Sequence, residues 1–261
     1  MKITIVGGGN MGGAIAKGLA TGTFSKPEDI TVINKTQNTT DQLKKANPNL
    51  NVVTGTYESI STADIVIIAV KPWLVEEILC NHKDKLKNPE QILISVASGV
   101  PLQQLANWSV AQKALFRAIP NTAIAQKESM TFVSSLNASD TQNKLILSLF
   151  NELGKTELID EKLLSAATSL SSCGIAYAFR YIRAAMEGGI EMGLYPHQAK
   201  SAILQTLRGA IELLEANNSH PEAEIDKVTT AGGITIKGLN EMEHAGFTSA
   251  VIRGLKASNV K

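Results

Sequence analysis

The feature that most constrains the fold is a glycine-rich run near the start of the chain. Ile3–Val6 has the composition of a strand, Gly7–Gly12 fits the pattern GxGxxG, and Met11–Ala20 has the spacing of a helix. In this context the first glycine permits a tight turn, the second lets the backbone approach a pyrophosphate, and the third allows close helix–strand packing. The N–H groups at the helix N-terminus favour an anion. The run therefore predicts a dinucleotide-binding (Rossmann) domain.

Further strand-like runs continue this pattern through the first 160 residues. They alternate with amphipathic stretches, as in βαβ units, and two of them are almost wholly apolar, which is typical of parallel strands covered by helices on both faces. The predicted strands are Ile3–Val6, Ile30–Asn34, Ile65–Val70, Ile92–Val96, Leu115–Ala118, Met130–Val133 and Thr156–Ile159. We expect an α/β Rossmann domain with a doubly wound, mostly parallel sheet over residues 1–160.

The composition changes after Asp160, where alanine, leucine, isoleucine and glutamate dominate and strand-like alternation ends. Glu161–Tyr181 and Gln198–Glu215 place apolar residues at helical spacing, and Pro196 suits the start of a helix. We expect residues 161–261 to form an all-helical domain that joins the first one directly.

The end of the second predicted strand indicates which dinucleotide is bound. NAD-selective sites place an acidic residue there to accept hydrogen bonds from the ribose. Here Asn34, Lys35 and Thr36 occur instead, and they can donate hydrogen bonds or supply positive charge to a 2′-phosphate. We predict a preference for NADPH, with NADH as the alternative cofactor. A solvent-facing Lys35 is the competing interpretation.

Other loops also follow predicted strands, at the sheet edge where ligands of such folds bind. They are Val70–Pro72, Ser95–Gly99 and Arg117–Asn121. Lys71 is expected either to contact the cofactor or to be a solvated charge.

A second glycine loop, Thr230–Thr235, lies within the helical part and precedes a helix over Ile236–His244. Paired glycines would weaken a helix by about 1 kcal/mol each, so a sharp turn that exposes N–H groups explains them better. Such a turn binds a carboxylate well, and Thr230 and Thr235 add hydroxyl groups. The alternative is an ordinary turn in which Thr235 only caps the helix.

Composition argues against several functional classes. The formal charge is +1, from 25 basic and 24 acidic residues spread along the chain, so no basic stripe for nucleic acid is expected. No apolar run reaches the roughly 20 residues of a membrane span. The first residues enter a strand without the apolar region of a signal peptide, which predicts a cytoplasmic protein. Four histidines without ligand spacing predict no metal site, and Cys80 and Cys173 are expected to be buried, reduced thiols.

The motifs together resemble the pyrroline-5-carboxylate reductases, over essentially the whole chain. The resemblance includes Gly7–Gly12, Val70–Pro72, Ser95–Gly99, Pro120-Asn121, Ala176-Tyr177, Gly193-Leu194 and the loop Gly232-Gly233-x-Thr235. It implies reduction of 1-pyrroline-5-carboxylate to L-proline, and a homodimer or a higher oligomer of dimers. It also implies an active site between the cofactor domain of one subunit and the helical domain of its partner.

Carried over to this sequence, the resemblance implies a role for Thr235 as the catalytic hydroxyl that hydrogen-bonds the ring nitrogen. The implied substrate contacts are Thr230, Gly232, Gly233, Ile234 and Thr235. The implied cofactor contacts are Gly7, Gly9, Asn10, Met11, Gly12, Asn34, Lys35, Thr36, Thr56, Val70, Lys71, Pro72, Ala97 and Asn121. The chain differs from the family at Thr230-Ala231, where Ser-Pro is usual, and at Thr56, where Asn is common.

Two alternatives stay open at the level of sequence. One is another two-domain NADP-dependent dehydrogenase of the β-hydroxyacid type, which usually enlists a lysine as acid or base. Lys200 and Lys227 have the sequence context of solvated residues and do not suit that role. The other is a cofactor-binding regulator that does not catalyse a reaction.

Overall fold

The computed structural model describes residues 1–259 and divides into two compact units. The first spans Met1–Ser172, and the second begins at Cys173. Residues 161–172 thus pack with the first unit, whereas the sequence prediction placed them in the helical domain. Among the described residues, no helix is long and apolar enough to cross a membrane.

The first unit is built on one eight-stranded sheet. Its strand order is β3-β2-β1-β4-β5-β6-β7-β8, and every neighbouring pair is parallel except β6 and β7. The strands are β1 Ile3–Val6, β2 Ile30–Asn34, β3 Asn51–Thr54, β4 Ile65–Ile68, β5 Ile92–Ser95, β6 Leu115–Ile119, β7 Ser129–Leu136 and β8 Gly154–Leu158. The predicted mostly parallel α/β fold is confirmed.

The prediction missed β3 and made β4 and β5 too long. β3 is only four residues long and half of it is polar, so its sequence carries little strand signal. Ala69, Val70 and Val96 continue the apolar pattern of β4 and β5, but they lie in the loops that follow these strands. The chain leaves the sheet earlier than its hydrophobicity indicates, at the edge where ligands bind.

Strand β1 lies at the point where the direction of winding reverses. It pairs with β2 on one side and with β4 on the other, so Val6 is level with both Ile33 and Ile68. Alternate residues face two apolar clusters: Ile5 belongs to one and Val6 to the other. The strong burial on both faces fixes the register of the sheet and the position of the loop that follows Val6.

The helices of the first unit cover the sheet. They are α1 Asn10–Ala20, α2 Gln37–Ala46, α3 Val75–Asn81, α4 Leu102–Trp108, α5 Asp140–Asn151 and α6 Leu164–Ala167. The expectation of a buried Cys80 is wrong, because α3 turns Val75 and Leu79 inward and the next residue, Cys80, is exposed. Cys173 is half-buried, and both thiols are free.

A π-helical segment, Thr168–Cys173, interrupts the helix predicted over Glu161–Tyr181. The hydroxyl groups of Thr168, Ser169 and Ser171 donate hydrogen bonds to carbonyl groups four residues earlier. Such bonds compete with the regular backbone pattern and distort a helix. The sequence prediction treated these polar residues only as positions of a continuous helix.

The second unit contains helices throughout its described residues, as predicted. They are α7 Gly174–Glu191, α8 Pro196–Asn217, α9 Pro221–Lys227, α10 Ile234–His244 and α11 Phe247–Ser258. Pro196 is the first residue of α8, as expected from its fixed φ angle and missing N–H group.

The helices of the second unit leave many large apolar side chains exposed. Among its described residues, Ala199 is the one apolar side chain that is buried, whereas Phe179, Met192 and Ile252 are all more than half exposed. Apolar exposure on this scale is unusual for a surface that stays in water and marks a protein contact.

Lys113 is a buried cation in the first unit and makes stability depend on pH. It is 3% exposed, and its Nζ donates to the carbonyl groups of Asn88 at 2.8 Å and Gln91 at 3.1 Å. Burial lowers the pKa of Lys113 to about 8 from 10.5. The folded chain therefore holds fewer protons than the unfolded chain between these pH values, and its stability rises with pH across the window.

We expect the gain in the free energy of unfolding to be complete above pH 10.5, where Lys113 is neutral in both states, and to be lost as the pH falls through about 8, where the folded chain must also hold the charge. The shift corresponds to about 3 kcal/mol at most. Denaturant unfolding of the natural chain and of Lys113→Met at several pH values measures it. In Lys113→Met the rise between pH 8 and pH 10.5 should be smaller by that amount, and parallel curves for the two proteins would refute the assignment.

Candidate functional site

The loop after β1 brings the backbone to the edge of the sheet and turns it directly into α1. Gly7 has a φ of +100°, and a Cβ atom there would lie 2.7 Å from the carbonyl oxygen of Ala69. A Cβ at Gly12 would overlap the carbonyl oxygen of Gly7. Both positions therefore require glycine for steric reasons within the protein.

Gly9 differs from these two glycines, because no contact within the protein requires glycine at this position. A Cβ atom at Gly9 would meet nothing within 4 Å, and its φ is −71°. Gly9 is the N-cap of α1, and no side chain caps that helix. The N–H groups of the first turn are thus available to a ligand, and the open space at Gly9 allows an anion to approach the backbone.

A cavity of about 600 Å³ opens beside this loop. Its wall is formed by the segments that follow β1, β2, β4 and β5, on both sides of the reversal in winding, where ligands of such sheets bind. The lining residues are Gly7, Gly8, Gly9, Asn10, Met11, Asn34, Lys35, Thr36, Thr39, Ala69, Val70, Lys71, Pro72, Leu74, Val96, Ala97 and Ser98. Eleven of the fourteen predicted cofactor contacts are in this set.

The remaining three predicted contacts lie elsewhere in the structure. Gly12 packs α1 against the glycine loop, as described above. Thr56 follows β3 and is exposed, and its hydroxyl donates to the carbonyl group of Thr54. Asn121 is buried after β6, where its side chain accepts from the N–H of Ala123 and donates to the carbonyl of Ser171. Asn121 thus supports the fold at that point.

The end of β2 supplies polar groups to one side of the cavity. Asn34 is buried, and its Oδ1 accepts the N–H of Gly8 at 2.8 Å, so this side chain holds the glycine loop in place. Its Nδ2 is buried and has no hydrogen-bond partner among the described residues. Lys35 is exposed, and Thr36 caps α2 through the N–H of Thr39.

The charge of this wall suits a phosphate group. Among the described residues that line the cavity, none is acidic, whereas Lys35 and Lys71 are basic. The hydroxyl groups of Thr36 and Thr39 lie 2.8 Å apart at the N-terminus of α2. Sequence reasoning did not identify Thr39, although its spacing of three residues from the N-cap Thr36 indicates a position in the first turn of the helix.

The turn before α10 is the second candidate site. The N–H of Gly233 donates to the carbonyl of Thr230 at 2.9 Å, and Gly232 has a φ of +72° at the third position of the turn. These features indicate a type II turn, which needs glycine at that position. A Cβ at Gly233 would lie 2.7 Å from the Oγ1 of Thr230. Gly232 is thus favoured by its φ angle, whereas a side chain at Gly233 would crowd Thr230.

The helix that follows this turn has no side-chain cap. Helix α10 begins at Ile234, its N-cap is Gly233, and no side chain caps it. The alternative in which Thr235 serves as the cap is therefore wrong. Ile234 and Thr235 are both exposed. The first turn of α10 presents free N–H groups and the Thr235 hydroxyl, which together can bind a carboxylate and a second polar group.

Among the described residues, no group of three or more histidine, cysteine, aspartate or glutamate side chains is arranged to hold a metal ion. The chemistry available from these residues is the binding and orientation of anions and hydrogen-bonding groups.

Comparisons with known proteins agree with this arrangement. Residues 161–261 match the family model described as pyrroline-5-carboxylate reductase dimerisation. Residues 2–99 match a second family model, whose description is “NADP oxidoreductase coenzyme F420-dependent”. Pyrroline-5-carboxylate reductase 1 of Dictyostelium discoideum is 38% identical over 99% of this chain and 49% of its own length. The chain thus spans about half of that relative.

Other relatives are matched over most of their length. Pyrroline-5-carboxylate reductase 2 of Dictyostelium discoideum is 35% identical over 100% of this chain and 91% of its own. The crystal structure of Plasmodium falciparum pyrroline carboxylate reductase with NADP bound has a TM-score of 0.90 and 28% identity, and it covers 99% of this chain and 95% of its own. The chain belongs to the pyrroline-5-carboxylate reductase family.

Proposed function

We propose that the chain reduces 1-pyrroline-5-carboxylate to L-proline, with NADPH as its cofactor and NADH as the alternative. The observation that carries the substrate assignment is the turn at Thr230–Gly233. It leaves the first N–H groups of α10 and the Thr235 hydroxyl exposed together. The N–H groups suit the carboxylate of the substrate, and the hydroxyl suits its ring nitrogen.

We assign cofactor binding to residues 1–160, and substrate binding and dimerisation to residues 161–261, of which residues 161–172 pack with the first unit. Gly9 and the uncapped N-terminus of α1 would hold the pyrophosphate, and Lys35 and Thr36 would hold a 2′-phosphate. The open space at Gly9 and the unpartnered Nδ2 of Asn34 fit a bound dinucleotide at this edge. Thr56 and Asn121 stay predicted contacts on the resemblance alone.

The reaction needs little chemistry from the protein itself. When bound, the reduced nicotinamide supplies a hydride to the carbon of the C=N bond. The nitrogen of a protonated imine already carries its proton, so no acid or base has to act on an oxygen atom. The N–H groups of Ile234 and Thr235, in the first turn of α10, would bind the carboxylate, and the Thr235 hydroxyl would orient the ring through a hydrogen bond.

The dehydrogenase alternative usually enlists a lysine as acid or base. Lys227 pairs with Glu224 at 2.7 Å, and Lys200 is exposed on α8. Neither lysine lies in one of the two candidate sites.

One assay separates the imine reductase from the dehydrogenase and from a regulator that does not catalyse a reaction: NADPH absorbance is followed with pyrroline-5-carboxylate, and NADP reduction is followed with a linear 3-hydroxy acid. Turnover of the imine alone supports the proposal. Turnover of the hydroxy acid alone, or of neither substrate, contradicts it.

Lys35→Glu tests the preference for NADPH. The change replaces a positive charge by a negative one beside the proposed 2′-phosphate, and the exposure of Lys35 limits the effect to a screened interaction. We expect the Kd of NADPH to rise about 20-fold and that of NADH to change about twofold at most. Lys45→Glu, in the last turn of α2, is the matched control. Equal losses for both cofactors would show that Lys35 does not meet the 2′-phosphate.

We propose a homodimer, either alone or as the unit of a higher oligomer. The exposed apolar side chains of α7 to α11 and the family model for dimerisation support it. Scattering-based mass in solution tests this proposal, and a mass near 27.8 kDa would contradict it. We also expect a cytoplasmic location, which cell fractionation checks.

A further inference from the structure

An ion pair between Arg117 and Glu161 has no part in the function proposed above. The Nη1 of Arg117 lies 2.6 Å from the Oε1 of Glu161, and the two side chains are 11% and 34% exposed. The same Oε1 accepts the backbone N–H of Leu102 at 2.7 Å. One carboxylate oxygen therefore joins β6, the first residue of α4 and the segment that follows β8.

The position of these bonds relates them to the cavity. Leu102 directly follows the loop of residues 96–101, which connects β5 to α4. Three residues of this loop line the cavity. At the other end of the loop, Ser95 pairs in register with Arg117. The Oγ of Ser95 accepts the N–H of Ala97 at 3.3 Å. One end of this loop is thus held by the strand that contains Arg117, and the other end is held by Glu161, the ion-pair partner of Arg117.

The fold indicates which part of the cofactor this wall would meet. The glycine loop lies at the reversal in winding, with the end of β2 on one side and the ends of β4 and β5 on the other. A dinucleotide spans this point, with its pyrophosphate at the N-terminus of α1. If its adenosine half lies at Lys35, as proposed, its nicotinamide half extends towards the loop of residues 96–101.

Stability alone is a weak explanation for this pair. Glu161 is partly exposed, so water screens the attraction, and the removal of the two charges from water offsets part of what is left; a pair of this kind often contributes little net stability. In addition, the Nε of Arg117 is buried without a hydrogen-bond partner among the described residues. What the pair does provide is fixed geometry, because a short charge-assisted bond holds Glu161 against Leu102.

We propose that Arg117 and Glu161 are positioning residues that hold the loop of residues 96–101 in place for the nicotinamide half of the cofactor. The proposal rests on the proposed function for the orientation of the cofactor. It predicts that weakening the pair lowers affinity for the nicotinamide half and leaves binding of the adenosine half unchanged.

The test compares two ligands by calorimetry: NADPH, and 2′-phospho-ADP-ribose, which lacks the nicotinamide. For Glu161→Ala we expect the Kd of NADPH to rise about tenfold and that of the shorter ligand to change about twofold at most. Glu161→Gln, which keeps an acceptor for Leu102, should have an intermediate effect. The matched control is Glu58→Ala, which removes the Lys85–Glu58 ion pair of 2.8 Å in the same unit and should change neither Kd.

Equal weakening of both ligands would show a general structural role and overturn the proposal, as would unchanged binding of NADPH. Thermal unfolding identifies a variant that does not fold, and in that case Glu161→Gln and Arg117→Lys decide by the same comparison. The result does not depend on turnover. An enzyme that binds NADPH without reducing the imine would contradict the proposed function and leave this comparison intact.

Discussion

Replacing Gly9 with alanine is expected to weaken NADPH binding about 100-fold and to leave the protein folded. The added methyl group meets no protein atom within 4 Å, and the φ of −71° is open to any residue. Its expected cost to folding is that of a poorer N-cap, about 1 kcal/mol. In the complex, the methyl group would occupy the space through which the pyrophosphate approaches the backbone, at a cost of about 2.8 kcal/mol.

Gly209→Ala is the matched control, because Gly209 lies in α8, outside the cavity, and a Cβ atom there would likewise meet no neighbouring atom within 4 Å. That variant should bind NADPH within about threefold of the natural chain. Fluorescence titration measures both Kd values, and thermal unfolding verifies the fold. Undiminished NADPH binding by a folded Gly9→Ala variant would mean that the pyrophosphate lies elsewhere.

The second large effect is expected at Thr235. Removing its hydroxyl in Thr235→Ala should lower kcat about 100-fold, which is typical for the loss of one oriented hydrogen-bond donor at a reacting group. The Kd of NADPH should change about twofold at most, since the cofactor contacts are assigned to the other unit. Thr235→Ser keeps the hydroxyl and should recover most of the rate. Steady-state kinetics and cofactor titration of the three proteins provide the comparison.

Thr248 offers a control in an equivalent position, because it is the second residue of α11 as Thr235 is the second residue of α10. Its hydroxyl bonds to the Oε1 of Glu243 at 2.7 Å, a contact outside the proposed site. Thr248→Ala should therefore keep its kcat within about threefold. An unchanged rate in Thr235→Ala would remove the proposed role of the hydroxyl, and an equal loss in both variants would indicate a structural effect.

The sequence was most informative where one residue type is required. Gly7 and Gly12 were predicted from the motif, and the structure gives each a steric reason. The Thr230–Thr235 turn was likewise predicted, because paired glycines have few uses inside a helical region. Ala231 replaces the usual proline at the second position of a type II turn, where proline is common but not required, and the turn hydrogen bond is still made.

Predictions were weaker where tertiary contacts decide the outcome. β3 has a short, half-polar sequence and forms because β2 offers it an edge. The π segment depends on hydroxyl-to-carbonyl bonds that periodicity does not reveal. The bond from the Gly8 N–H to the Oδ1 of Asn34 was not predicted either, because it forms only where the two segments meet at the sheet edge, and it leaves the Nδ2 of Asn34 without a partner among the described residues. Pairwise contacts of this kind are set by the fold and have no local signal.

Transfer of an isotope label tests the central claim most directly. NADPH that carries deuterium at both C4 positions of its nicotinamide is incubated with the protein and pyrroline-5-carboxylate, and the product is analysed by mass spectrometry and NMR. We predict proline with a single deuterium on the ring carbon that formed the C=N bond. Proline without deuterium, or no proline at all, would contradict direct hydride transfer to the imine by this chain.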